Sequence, residues 1–202
     1  LSADTGINVA TLRVDTLHCL YLGVFQAHCS AVVWALIDAD VWRTASTGHT
    51  SAIERLQESC IRLQADLHAW SLQEARARPA EPMTMVQEFT PKTLGDRNAQ
   101  QCKLKGGETK TLMSFLQSFL AAHEGSVPNA VHMLAAGAAF DRHIRLLKAA
   151  GHRLTKAEIH EFAETQHTAL ANLAKYAKLS PKCHQWLHCG RIAMGNQSAP
   201  QP

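Results

Sequence analysis

The sequence predicts a mainly α-helical protein, with about five to six helices in an antiparallel, bundle-like arrangement and one short N-terminal strand. Two observations favour this class. Ala and Leu are abundant while aromatic residues make up 6% of the chain, and apolar residues recur at three- and four-residue steps. The 202 residues, 46% hydrophobic and 18% charged, are ordinary for one globular domain. We predict a single helical domain over residues 1–191, with a loop at about 78–106 and a disordered tail over 192–202.

The first elements follow from periodicity. Residues 7–14 alternate loosely in polarity, as a short strand does. A long apolar helix is predicted over residues 16–42 and an amphipathic helix over 51–77, and these two are expected to bury each other as antiparallel neighbours. Prolines in the segment 78–82 stop the second helix, and a single short turn is predicted within 89–94.

Three further helices are predicted from their start and stop signals. The third covers residues 109–123. The fourth begins at 125–128, with Ser126 as its cap, and ends at Gly151. The fifth begins at a capping box formed by Thr155 and Glu158 and ends near Lys178. A last short segment covers residues 183–191.

Charge, cysteine usage and hydropathy limit the functional classes. A formal net charge of +3 is too small to argue for nucleic-acid binding by itself. The six cysteines are dispersed and follow no secretory signal, which favours reduced thiols. The apolar run over 17–37 is interrupted by polar residues (His18, Gln26, His28 and Ser30), so no membrane span is predicted. We expect a soluble intracellular protein.

Two pairs of potential metal ligands lie near the two ends of the chain. Asp15 and His18 are three residues apart, and His184 and His188 are four apart. On a helix these spacings point two side chains the same way, so the four together could form a structural zinc site if the ends meet. Neighbouring cysteines (Cys19, Cys29, Cys183 and Cys189) are competing ligands. In the alternative reading Asp15 is a helix N-cap and the histidines belong to a short amphipathic helix.

Enzymatic sites are poorly supported. The sequence has no Walker-type phosphate loop and no G-x-S-x-G elbow. Cys183 beside His184 could suggest a thiol nucleophile, but adjacent residues rarely face each other. Asp38 and Asp40 are read as a solvated helix terminus rather than a catalytic pair.

The densest basic stretch contains Lys103, Lys105 and Lys110, with Lys92 and Arg97 nearby. Such a stretch can follow nucleic-acid phosphates, and we predict the three lysines as DNA-binding residues. The alternative is that these charges serve solubility alone.

Four short motifs resemble a known family. The segment Val14–Val24 resembles the D-x-x-H-x-x-x-L-G segment of transposases of cut-and-paste DNA elements, of the CACTA-like and Kyakuja-Dileera-Zisupton-like groups. Residues 179–188 resemble the P-K-x-H-x-x-x-H segment of such proteins. Residues 89–94 and 103–108 add shorter similarities. The resemblance covers residues 12–189.

The resemblance implies an RNase H-like fold with three catalytic acids and two divalent metal ions, interrupted by a helical insertion before the last acid. Asp15, His18, His184 and His188 match the ligand pairs at the roots of that insertion, which bind zinc or fix the insertion to the catalytic core. The chain departs from the family because residues 189–202 contain no acid and the first strand-borne aspartates would precede Leu1. Asp15 is a weak candidate for the second catalytic acid.

We therefore expect a fragment of a transposase-like, mobile-element protein that is catalytically incompetent alone, with magnesium needed only in a complete parent enzyme. The resemblance implies DNA and other transposase segments or subunits as partners, no membrane, and a nuclear location. The first alternative is a freestanding helical interaction module without metal. The second is an intact small metal-dependent enzyme.

Overall fold

The computed structural model describes residues 17–44, 48, 51–149 and 154–187. Within these residues it contains seven α-helices and no strand, so the mainly α-helical class is confirmed. A π-helical segment (Leu17–Val24) continues into α1 (Phe25–Asp38); then follow α2 (Ala52–Ala77), the short α3 (Pro91–Leu94), α4 (Gly106–Ala122), a 3₁₀ turn (Glu124–Ser126), α5 (Ala130–Ala149), α6 (Lys156–Leu173) and α7 (residues 181–187). The predicted strand over 7–14 and the predicted tail over 192–202 lie outside the described residues.

Three helix starts are capped by side chains, and the cap at Thr155 was predicted. The Ser51 side chain accepts from the Glu54 N–H at 3.1 Å, while the Glu54 carboxylate accepts from the Ser51 N–H at 3.2 Å. Thr155 and Glu158 form the same reciprocal pair at the start of α6. The short turn in 89–94 is α3, with Thr90 as its cap and Pro91 in its first position.

Other boundaries differ from the predictions. α1 ends at Asp38 and residues 39–42 form turns. α4 begins at Gly106, because the Glu108 carboxylate accepts from the Lys105 N–H at 2.9 Å and fixes the first turn early. Ser126 does not cap the fourth predicted helix, since it lies in the 3₁₀ turn and Asn129, with φ of 61°, separates it from α5. α6 ends at Leu173 rather than near Lys178.

α1 is the central helix of the described core. By length and composition alone, the stretch Leu20–Asp38 could cross a membrane, but 72% of the tested window is buried inside this protein. Its polar side chains bond to other elements: Gln26 Nε2 donates to the Leu104 carbonyl at 2.6 Å, and Ser30 Oγ to the Leu94 carbonyl at 3.5 Å. α1 therefore serves here as a core helix that also holds the segment 94–104.

The prediction that the first two long helices bury each other was wrong. α2 packs mainly against α4 and α3, and α1 packs mainly against α4, α5 and the π-helical segment. α4 packs against both α1 and α2. Many of its side chains are buried, and Leu112, Phe115 and Leu116 are almost wholly excluded from solvent. Trp70 of α2 contacts the Phe115 ring edge-on, at 5.8 Å between centroids.

α5 and α6 form an antiparallel hairpin. His132 bonds to Asn172 at 3.0 Å and Arg142 to Glu161 at 2.7 Å, so one residue number rises as its partner's number falls. The hairpin joins the same hydrophobic core as α1, through the Phe25 and Phe140 rings, whose centroids are 5.0 Å apart. The result is one continuous core for the described residues.

Candidate functional site

The two segments that carry the predicted ligand pairs meet in the structure. The Lys182 ammonium donates to the Leu22 carbonyl at 2.7 Å, across 160 residues of sequence. Leu22 lies four residues after His18, and Lys182 lies two residues before His184. The contact therefore brings the π-helical segment and α7 together.

The position of α7 is fixed by Trp186. This side chain is 2% exposed, and its indole contacts the rings of Phe140 and His143 at centroid distances of 5.8 and 5.0 Å. Its backbone carbonyl accepts from the Gln166 side chain at 2.8 Å. The short helix α7 is therefore anchored on the α5–α6 hairpin.

His143 connects Trp186 of α7 with Thr165 of α6, and these two hydrogen bonds determine which ring nitrogen of His143 carries the proton. The Trp186 indole can only donate, so His143 Nε2 accepts its N–H, at 3.4 Å. His143 Nδ1 then carries the proton and donates to Thr165 Oγ1 at 3.0 Å, and Thr165 donates in turn to the Phe162 carbonyl at 2.9 Å. Burial lowers the pKa of His143 to about 3, which keeps the ring neutral as this network requires.

The structure describes only part of the predicted metal site. His184 is exposed on α7, on the side away from the buried Cys183 and Trp186. Asp15 and His188 lie outside the described residues, and the His18 side chain is not among those described. Among the described residues there is no group of three or more His, Cys, Asp or Glu side chains placed to hold a metal ion. The four-residue site therefore stays a prediction.

The chemistry of the predicted donor set fits zinc. One carboxylate oxygen and three imidazole nitrogens are ligands that Zn²⁺ accepts in tetrahedral sites. The competing thiols that can be located, Cys29 and Cys183, are both buried. Cys29 donates weakly to the Thr109 carbonyl at 3.9 Å, and burial raises its pKa far above the usual range. Neither thiol is available to a site at the exposed His184.

The Cys183–His184 pair has the geometry of two unrelated side chains. Cys183 is 1% exposed and contacts Ser180, whereas His184 is exposed. A catalytic base must reach the proton of its nucleophile, and these two side chains lie on different sides of α7. The acidic residues Asp38 and Asp40 are also separately engaged: Asp38 pairs with Arg97, and Asp40 accepts from the backbone and side chain of Thr44.

The predicted DNA-binding lysines divide into two groups. Lys103 and Lys105 are exposed and alternate with the buried Cys102 and Leu104 along an extended segment. Lys110 is half-buried and faces a cavity beside α2. Lys103 and Lys105 are therefore open to solvent, whereas Lys110 is partly covered by the walls of an open cleft.

Sequence analysis missed the two side chains that place α7, Lys182 and Trp186. The available signal was the spacing of Cys183 and Trp186, since apolar residues three apart mark the buried face of a helix. The sequence could not identify Leu22 as the acceptor of the Lys182 ammonium, because the acceptor is a backbone carbonyl and every residue has one.

Comparisons of the chain with protein-family models, with curated proteins and with solved structures found no match.

Proposed function

We propose that this chain is the helical insertion region of a transposase-like protein, in which one zinc ion held by Asp15, His18, His184 and His188 joins the two end segments. The observation that carries the proposal is the contact between Lys182 and the Leu22 carbonyl. Zinc would act structurally there, adding binding energy to the folded state. The chain would not cut DNA alone, because two-metal phosphoryl transfer needs its full set of acids.

The spacing within each pair supports a shared site. Three or four residues make about one turn of an α-helix, so each pair would present its two ligands on one face if both of its residues are helical. His184 is exposed and free of the core, as a ligand at the junction of two segments must be. In the complete protein this closure would hold the helical region against its catalytic core, with DNA and other transposase segments or subunits as partners in the nucleus.

The test is the metal content of the purified chain, measured by inorganic mass spectrometry. We expect about one zinc per chain, because four ligands complete a structural site. The double variant His184→Ala/His188→Ala should lose the metal and unfold at a lower temperature. His68→Ala is the matched control, since His68 is an exposed helical histidine on α2, and it should keep both metal and stability.

Two results would contradict this proposal. One is a well-folded wild-type chain without zinc after purification in zinc-supplemented medium. The other is equal zinc content in the wild type and the double variant, which would place the metal elsewhere.

The second candidate function is a helical interaction module without metal. It is favoured by Ile61 and Leu72, which are 63% and 46% exposed and lie along the outer face of α2. An apolar stripe of this kind suits a partner helix. Absence of zinc, together with concentration-dependent sedimentation that Ile61→Lys abolishes, would favour this function.

A further inference from the structure

The outer face of α2 carries apolar side chains that the described residues leave open to solvent. Ile61 is 63% exposed and Leu72 is 46% exposed. The two stand eleven residues apart, which is about three turns of an α-helix, so they lie on the same side of α2. Ala65 is exposed between them on that side. We call these three residues the outer stripe of α2.

The outer stripe is not the face by which α2 joins the core. The buried face of α2 includes Cys60, Leu63 and Leu67, which point away from the stripe. Because this other face already packs on the rest of the described chain, the outer stripe is available to a partner.

The two ends of the outer stripe carry opposite charges. Glu58 precedes Ile61 by three residues and Arg76 follows Leu72 by four, so both continue the row of the stripe. The Glu58 carboxylate accepts from Arg62 at 2.6 Å and stays partly exposed. Arg76 is exposed and has no ion-pair partner among the described residues. The stripe is therefore an apolar centre with an acid at one end and a base at the other.

This order of side chains is complementary to itself when the helix direction is reversed. If Leu72 of one copy lies against Ile61 of another, the equal spacing places each Glu58 within one residue of Arg76 in the other copy. A two-fold interface repeats every contact, so both ion pairs form together. Ala65 lies near the middle of the pair, and its small side chain lets the two helices approach closely.

The same charges exclude a parallel arrangement. Two parallel copies of α2 in register would place Glu58 against Glu58 and Arg76 against Arg76. Like charges in an interface suppress the wrong pairing. The charge pattern therefore selects the antiparallel second copy.

We propose that this chain forms a homodimer in which α2 pairs antiparallel with α2 of a second copy through the outer stripe. Two contacts between Ile61 and Leu72 form the apolar centre, and two ion pairs between Glu58 and Arg76 close its ends. The proposal rests on the second candidate function, the helical interaction module, and names its partner. It does not depend on zinc.

The first test is sedimentation equilibrium of the full chain over a wide range of concentrations. We expect a reversible monomer–dimer equilibrium that Ile61→Lys weakens at least about tenfold, because each dimer loses two buried apolar side chains. Ile53→Lys is the matched control. Ile53 is 70% exposed on the same helix but lies about a quarter of a turn away from Ile61, so dimerisation should not change.

Charge reversal tests the antiparallel pairing. Glu58→Arg and Arg76→Glu should each weaken the dimer about tenfold, because two attractive pairs become repulsive. The double variant should restore the dimer. An equal mixture of the two single variants should form a heterodimer, since each contact between positions 58 and 76 again joins opposite charges. The double variant does not repair the pair of Glu58 with Arg62, so its recovery would not come from within one helix.

Three outcomes would overturn the proposal. A folded chain that stays monomeric up to millimolar concentration contradicts both the homodimer and the second candidate function. A dimer that Ile61→Lys abolishes but charge reversal leaves unchanged contradicts only the antiparallel pairing. Equal weakening by Ile61→Lys and Ile53→Lys would place the contact away from the outer stripe. Metal content is measured separately, so the zinc site and the homodimer can fail independently.

Discussion

Two buried histidines stay neutral inside this protein. His28 bonds through Nδ1 to the Tyr176 hydroxyl at 2.6 Å, and His143 joins Trp186 to Thr165. Burial lowers the pKa of His28 to about 4 and that of His143 to about 3. From sequence alone, His28 was read only as an interruption of an apolar run. A histidine with a neutral hydroxyl partner leaves no pattern that distinguishes it from a metal ligand.

These two groups should make the fold acid-sensitive. An unfolded histidine titrates near pH 6.5, so between that pH and the folded pKa the unfolded state binds more protons than the folded state. The stabilisation is fully present above pH 6.5 and is lost as the pH falls toward 4. Each group contributes a slope of about 1.4 kcal/mol per pH unit inside that window. Urea unfolding between pH 7 and 4.5 measures it.

Substitutions of the two histidines test whether they cause the pH dependence of the free energy of unfolding. His143→Gln should lower the stability at pH 7 and also reduce the pH slope by about half, because one of the two titrating groups is gone. His68→Gln, on the exposed face of α2, should leave the slope unchanged. A slope that survives in the double variant His28→Gln/His143→Gln would show that other groups control the acid response.

At the scale of elements, helix starts were easier to predict than helix partners. The capping box of Thr155 and Glu158 was predicted, because its two residues stand three apart. The box of Ser51 and Glu54 has the same spacing, but only the structure identified it. The end of α1 and the start of α5 could not be predicted, since Asp40 and Asn129 adopt positive φ values of 48° and 61° that only the folded surroundings select.

The Ser51 cap offers a direct measurement of what such a signal contributes. Ser51→Ala removes the acceptor for the Glu54 N–H and should lower the free energy of unfolding by about 1 kcal/mol. Ser118→Ala is the control: Ser118 is exposed inside α4, where alanine is the better helix former, so stability should hold or rise slightly. Equal effects of the two substitutions would mean that the cap adds nothing.

At the scale of the whole molecule, Gln26 connects the core helix to the irregular segment before α4. Its amide donates to the Leu104 carbonyl at 2.6 Å and accepts from Gln101 at 3.1 Å, and its backbone carbonyl accepts from the Cys102 thiol. Burial raises the pKa of Cys102 to about 12, so this thiol packs as an unreactive core group. The connection gives the segment 94–104 a fixed path.

Replacing this glutamine tests how far the segment depends on it. Gln26→Leu leaves the Leu104 carbonyl buried without its donor, and we expect a loss of about 1 to 3 kcal/mol in urea unfolding at pH 7. Gln57→Leu, on the exposed side of α2, should change stability by less than about 0.5 kcal/mol. No loss in Gln26→Leu would show that another donor replaces the amide.

The sequence predicted the helical class and most helix positions, but not which helices touch. Amphipathic patterns show that a face is buried without identifying its partner, so α2 was assigned to α1 although it packs mainly on α4. For the site, the sequence predicted two pairs of metal ligands, and a shared zinc site would require that these pairs meet. The structure adds the contact of Lys182 with Leu22 and the anchoring of α7 by Trp186. The spacing of Cys183 and Trp186 indicated a buried face of α7, but the partners of Lys182 and Trp186 could not be predicted, because they lie far away in the sequence.

The Lys182–Leu22 contact has a consequence for how these helices can be carried by another protein. The first and last residues of the segment 22–182 are in contact with each other. A host chain that held them between two of its own elements would therefore receive a long insertion whose two ends are already together, and it would lose little additional loop-closure entropy. Such a segment can be inserted into another fold without moving apart the host residues on either side of the insertion.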